Sequence, residues 1–186
     1  MSQNYNDLIN YSKSFSGLTP ELEATLKEIA PILTPHLKQV TDRFYEQLTA
    51  IPETEKYLVG RLEYLKAAHL KWMTDLFMLD VDAQFAENMY RVGDIHVKVN
   101  LPVEFMAGGM TLITTELIKL VVETLGQDSA QCVKALQAIN AVTGMALMVM
   151  QQSYQESSIA EELEKFLQIS GMSRTLFTNL AKAYSS

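Results

Sequence analysis

Arg91-Val92-Gly93-Asp94-Ile95-His96-Val97-Lys98-Val99-Asn100-Leu101-Pro102-Val103-Glu104 reads as the end of one helix and the beginning of the next. Phe85, Met89, Val92, His96 and Val99 recur at steps of three and four, which puts them on one helical stripe. The stripe stops at Asn100-Leu101-Pro102, and a long helix is expected from about Val103 to Leu125.

The same signals extend in both directions. Thr19-Pro20-Glu21-Leu22-Glu23 is a helix start, with a capping threonine, proline in the first turn and acids near the positive end of the helix dipole. Pro31 and Pro35 bracket a bend, after which Leu33, Leu37, Val40, Phe44 and Leu48 repeat at helical spacing up to Ile51-Pro52. Gly60 precedes a helix carrying Leu62, Leu65, His69, Trp72 and Leu76 on one face. Beyond Leu125, the turn Gly126-Gln127-Asp128-Ser129 caps a helix expected to run to about Tyr154. No alternation of apolar and polar residues is long enough for a strand, so the fold class is all-α. No linker-like break precedes about Ser157, and no internal repeat is evident.

Residues 158–186 differ. Leu163, Phe166, Ser170, Ser173, Phe177, Leu180 and Tyr184 follow a heptad-like pattern that is polar in its middle, where Gly171 weakens the helix. Two readings are open: a last helix folded back on the domain, or a connecting helix that pairs with another subunit.

Composition narrows the function. The chain has 186 residues, a formal net charge of −7, three histidines and one cysteine. A lone cysteine, Cys132, rules out an intramolecular disulfide or a thiolate cluster, and its apolar neighbours Val133, Leu136 and Ile139 suggest a buried thiol. An acidic chain lacks the basic face that nucleic-acid phosphates require. The longest nearly apolar run, Ile139 to Met150, falls short of the roughly 20 residues of a membrane helix, and the N-terminus has no secretory pattern. A cytoplasmic protein with neither a membrane nor a nucleic-acid partner is expected.

Catalytic signatures are absent: there is no GxSxG, Walker A, HExxH or GxGxxG, and Gly108-Gly109 lies inside a helix as a close-packing site. His36 follows Pro35 and should be exposed. His69 and His96 lie within apolar stripes, where an imidazole costs free energy unless something binds it. Such a histidine is either a satisfied core residue or a ligand, and a neutral imidazole facing an apolar cleft is what a haem iron takes as axial ligand.

The quoted stretch resembles the proximal-helix signature of the globin-coupled sensor and protoglobin families, roughly R-[IV]-G-x-[IV]-H-x-x-[IV]-G-[IL]-P. Asn100 replaces the common glycine, a mild change because asparagine tolerates the left-handed conformation of a helix end. Arg43-Phe44-Tyr45 resembles the helix that places a distal tyrosine over the haem, and Leu62 to Phe77 resembles the distal helix that follows. The resemblance covers roughly Leu18 to Tyr154. It implies a globin-like fold with an extra N-terminal helical segment over 1–17, a sensor globin domain over 18–157 and a C-terminal connector over 158–186.

The resemblance also implies site roles. His96 is the proximal ligand of a haem b, with its other ring nitrogen held by a local acceptor. Tyr45 projects its hydroxyl over the open face, Leu65 limits water access, and Phe44, Val92 and Val99 pack against the porphyrin. His69 lines the distal side as a ligand to iron, a donor to the bound gas or a satisfied neighbour, with ligation the least expected. Without CxxCH the haem is non-covalent. The implied function is reversible binding of oxygen, with carbon monoxide and nitric oxide as other ligands, in a non-enzymatic sensor. Family members commonly dimerise through the last two globin helices. In this chain Gly108, Gly109, Met145 and Met148 serve either that interface or the intrachain core. No output domain is recognised, so the chain is either a single-domain sensor or the sensory part of a diguanylate cyclase, kinase or chemotaxis transducer. The rival readings are a haem-free stress-signalling module acting through protein contacts and a haem enzyme consuming nitric oxide or peroxide.

Overall fold

A computed structural model describes residues 4–184. Residues 1–3 of the expected N-terminal extension and 185–186 of the expected connector lie outside the described residues. The chain is helical throughout, and no strand occurs among the described residues.

Helix α1 (Tyr5–Ser16) is capped by the Asn4 side chain and ends at Gly17, whose φ of 70° is the left-handed stop. Helix α2 (Pro20–Leu33) starts as expected, with the Thr19 hydroxyl accepting from the Leu22 amide. A 3₁₀ turn over Thr34–His36 makes the proline-bracketed bend and leads into α3 (Leu37–Thr49). Pro52–Thr54 and the single-turn α4 (Glu55–Leu58) precede α5 (Leu62–Met78). Helix α6 (Ala83–Lys98) is capped by Asp82, and α7 (Val103–Leu125) follows. Asn100 sits between them at φ 53°, the left-handed conformation its side chain tolerates.

Helix α8 (Ser129–Ser170) is the strut on which α1, α2, α6 and α7 pack, while α3 lies against α5 and α7. Its inward face of Ala135, Ala138, Ile139, Val142, Met145, Ala146 and Val149 is almost wholly buried. Met145 therefore belongs to the intrachain core, Met148 is half-buried and Gly108 is exposed. Cys132 is buried and His36 exposed, as expected.

Two expectations need correction. Helix α8 does not stop near Tyr154; it continues to Ser170. Polar Gln151-Gln152-Ser153 resembles a helix end in the sequence, yet nothing there breaks a helix, and the stop comes at Gly171 with φ 66°. Helices α7 and α8 are also each long and apolar enough to cross a membrane by length and composition, beyond the run first recognised. In this fold they place Ile113, Leu117 and Val121, or Ile139, Val142 and Val149, in the helical core.

Helix α9 (Arg174–Tyr184) turns back on the end of α8, with Phe177 edge-on to Phe166 and Arg174 paired with Glu164. Leu167 is buried there, while Ile159, Ile169, Leu176 and Tyr184 are exposed.

Candidate haem site

Helix α3 turns Phe44 and Tyr45 inward from consecutive positions, 6 % and 7 % exposed, with their rings edge-on at 5.1 Å. Opposite them α5 presents His69. Its imidazole is 4.6 Å from Phe44 and 5.7 Å from Tyr45, and it stacks on Trp72 at 5.4 Å with the planes 11° apart. Trp72 is tied in turn to α6, its indole N–H pointing at the Met89 sulfur at 3.1 Å. Four aromatic rings from two helices thus form one cluster.

Both ring nitrogens of His69 are buried without a hydrogen-bond partner, and so is Nδ1 of His96. Burial drives the His69 pKa down to about 3, and the nearby His96 imidazole pushes it further in the same direction. Burial lowers that of His96 as well. Both imidazoles are therefore neutral at pH 7 and keep a lone pair for a metal. Each lies close enough that charging one opposes charging the other. The Tyr45 hydroxyl is pushed up to about 12 by burial, so it keeps its proton and can donate it in a hydrogen bond.

Of the other expected residues, Leu65 and Val92 are half-buried against the core, and Val99, at the end of α6, is 40 % exposed. The acceptor expected to hold the second nitrogen of His96 is not found on Nδ1. An open surface cleft bounded by Gly17, Lys134 and Asn140 lies apart from the two imidazoles.

The donor set fits a haem. An unpartnered buried ring nitrogen costs about 1–3 kcal/mol, a cost removed by a metal bond. The described residues contain no group of three or more His, Cys, Asp or Glu that could hold an ion by themselves. A porphyrin iron needs only one or two protein ligands.

Of three further residues that shape the site, the sequence reading gave Gly93 and Glu116 no role of their own, while Gly109 was expected as a close-packing glycine. Gly93 lets α6 cross α8, since a Cβ there would stand 2.3 Å from the Met150 carbonyl oxygen and 2.4 Å from Ser153 Oγ. Its place three residues before His96 was the available signal. Gly109 faces Phe44, where a Cβ would be 3.7 Å from the ring. Glu116 is a carboxylate only 2 % exposed, and an apolar flank on a long helix gave no warning of it.

An all-α domain that carries two imidazoles with buried, unpartnered nitrogens, one of them edge-on to a tyrosine, is built like a globin. The chain belongs to the protoglobin family, whose model matches residues 5–159. Its fold is similar to the globin domain of the Geobacter sulfurreducens globin-coupled sensor, with a TM-score of 0.72 and 24 % identity over 78 % of this chain and 96 % of that one. It is also similar to the ferric globin domain of E. coli DosC, with a TM-score of 0.64 and 20 % identity over 76 % and 97 % of the two chains. No curated protein matches the sequence.

Proposed function

We propose that this chain is a haem-based gas-sensing domain rather than an enzyme, with oxygen as its ligand and carbon monoxide and nitric oxide as alternatives. In this reading His96 is the proximal ligand to a non-covalent haem b, and Phe44, Leu65, Val92 and Val99 pack around the porphyrin. The observation that carries it is the set of three buried ring nitrogens without hydrogen-bond partners, both of His69 and Nδ1 of His96, on neutral imidazoles, with the Tyr45 ring 5.7 Å from that of His69. The haem supplies an open iron coordination position for a diatomic gas. Tyr45 donates a hydrogen bond into that space, which holds dioxygen, with its negative outer atom, longer than carbon monoxide. The aromatic cluster keeps water out.

His69 supports a second reading of the resting state. Neither of its nitrogens is engaged within the protein, which favours His69 as a second residue that would hold the iron when haem is bound. On both readings, residues 18–157 form the sensor globin, 1–17 its extension and 158–186 the connector. The unbroken course of α8, from beside the helix of His96 to Ser170, supports relay to an output domain. The exposed α7 positions Gly108, Thr111, Thr115, Ile118 and Val122 favour pairing with a second copy. A cytoplasmic location fits this role.

The test is the absorption spectrum of the ferrous protein with and without oxygen, for wild type and His96→Ala. Wild type should show a Soret band that shifts with oxygen, and the variant should lose it. An alanine variant that keeps haem with an unchanged spectrum removes His96 from the proximal role. Wild type without a Soret band after reconstitution favours the haem-free module. Rapid consumption of nitric oxide with a reductant favours the enzyme.

A further inference from the structure

Helix α3 carries the Phe44–Tyr45 pair and meets α7 at two places. One is apolar, the Phe44 ring against Gly109. The other is built around a buried charge, Glu116. Gln47 donates from Nε2 to Glu116 Oε1 at 2.9 Å, and the Lys119 ammonium lies 2.6 Å from the same oxygen. Arg43 Nη1 stands 3.7 Å from Oε2 and 3.8 Å from Glu123, and Oε2 has no hydrogen-bond partner. Burial makes the charge costly, but the hydrogen bonds from Lys119 and Gln47, with Arg43 nearby, outweigh it and hold the carboxyl below its ordinary value.

A carboxylate sealed in this way is a poor source of stability, since apolar residues of equal volume do as well. What it supplies is register. Gln47 reaches Oε1 only in the present register of α3, which also brings Arg43, one turn back, to 3.7 Å from Oε2. Phe44 and Tyr45 lie between those two positions and point at His69, which stacks on Trp72. A slip of α3 along α7 would break the polar contacts and withdraw both rings from His69.

We propose that Glu116 is a positioning residue: its buried carboxylate, bound by Gln47 and Lys119 and approached by Arg43, fixes α3 on α7 and so holds Phe44 and Tyr45 against His69. The consequence for gas binding rests on the haem reading above; the positional claim does not.

Trp72 is the only tryptophan in the chain and reports on the cluster without haem. Acrylamide quenching of its fluorescence is measured on the haem-free full chain for wild type, Glu116→Ala, Glu116→Gln and Gln47→Leu, with Val142→Ala as a destabilised control in α8. Glu116→Ala should raise the quenching constant about twofold with helical circular dichroism retained. Glu116→Gln, which keeps an acceptor for Gln47, should change it by less than half as much, and the control should not change it. With haem bound, Glu116→Ala should speed oxygen dissociation severalfold in wild type and add nothing to Tyr45→Phe. Unchanged quenching in folded Glu116→Ala, or an equal rise in the control, overturns the proposal. Should Glu116→Ala fail to fold, Gln47→Leu carries the same expectation, and unchanged quenching there overturns it too. Failure of the haem reading gives a different pattern: no haem uptake by wild type, while quenching still responds to position 116.

Discussion

The imidazole of His69 lies parallel to the indole of Trp72, ring centroids 5.4 Å apart and planes 11° from coplanar, and neither imidazole nitrogen meets a hydrogen-bond partner. A one-turn spacing on α5 places the two rings together, and the Met89 sulfur fixes the indole from the other side. The arrangement orients an imidazole without using its nitrogens, which leaves them for a ligand.

Replacing His69 with leucine should therefore stabilise the haem-free protein at neutral pH, by about 1–2 kcal/mol, because a buried group with no partner is exchanged for an apolar one. Denaturant midpoints of the two haem-free proteins measure it, and a destabilised variant contradicts it. In the haem-loaded ferrous protein the same change should turn a six-coordinate spectrum into a five-coordinate one if His69 is a ligand.

Acid should weaken the haem-free fold through this residue. The folded-state pKa of about 3 lies below the unfolded value of about 6.5, so unfolded chains bind more protons as pH falls. The contribution is fully present above pH 6.5 and is lost progressively between about 6.5 and 3. From pH 7.5 to 5.5 the loss is about 1.4 kcal/mol. Melting curves of wild type and His69→Leu across that interval should diverge, with the variant the flatter; parallel curves would show that His69 is not held neutral.

Tyr45→Phe should accelerate oxygen dissociation five- to tenfold, the worth of about 1 kcal/mol of hydrogen bond, with a smaller effect on carbon monoxide. Stopped-flow ligand replacement reads both rates. Equal effects on the two gases would exclude a hydrogen bond to oxygen as the cause.

Gly93→Ala forces a Cβ into the Met150 carbonyl and the Ser153 hydroxyl, and this backbone cannot yield as a flexible side chain would. A loss of about 1–3 kcal/mol and a fall in Tm of roughly 5 °C are expected. Because His96 is three residues away, the haem-loaded variant should also show a displaced Soret band; the control Gly108→Ala, where nothing lies within 4 Å, should show neither effect.

The sequence by itself determined the local elements. Thr19 caps α2, Asn100 ends the α6 stripe in the left-handed region, and Val103 to Leu125 is one helix, because caps, backbone allowance and periodicity depend only on near neighbours. It also marked His69 and His96, since an imidazole inside an apolar stripe is conspicuous wherever the stripe is buried, whereas Tyr45 was marked only by the resemblance of Arg43-Phe44-Tyr45 to a distal helix. Only the tertiary structure decided what surrounds them. The Phe44 and Tyr45 rings against His69, the absence of partners on the ring nitrogens, the α6–α8 crossing at Gly93 and the burial of Glu116 depend on contacts between helices distant in the chain. The length of α8 is a local matter: Gln151 to Ser153 is polar but contains no helix breaker, and the helix runs on to its left-handed stop at Gly171. Periodicity reveals which side of a helix is covered, but what covers it is settled by packing.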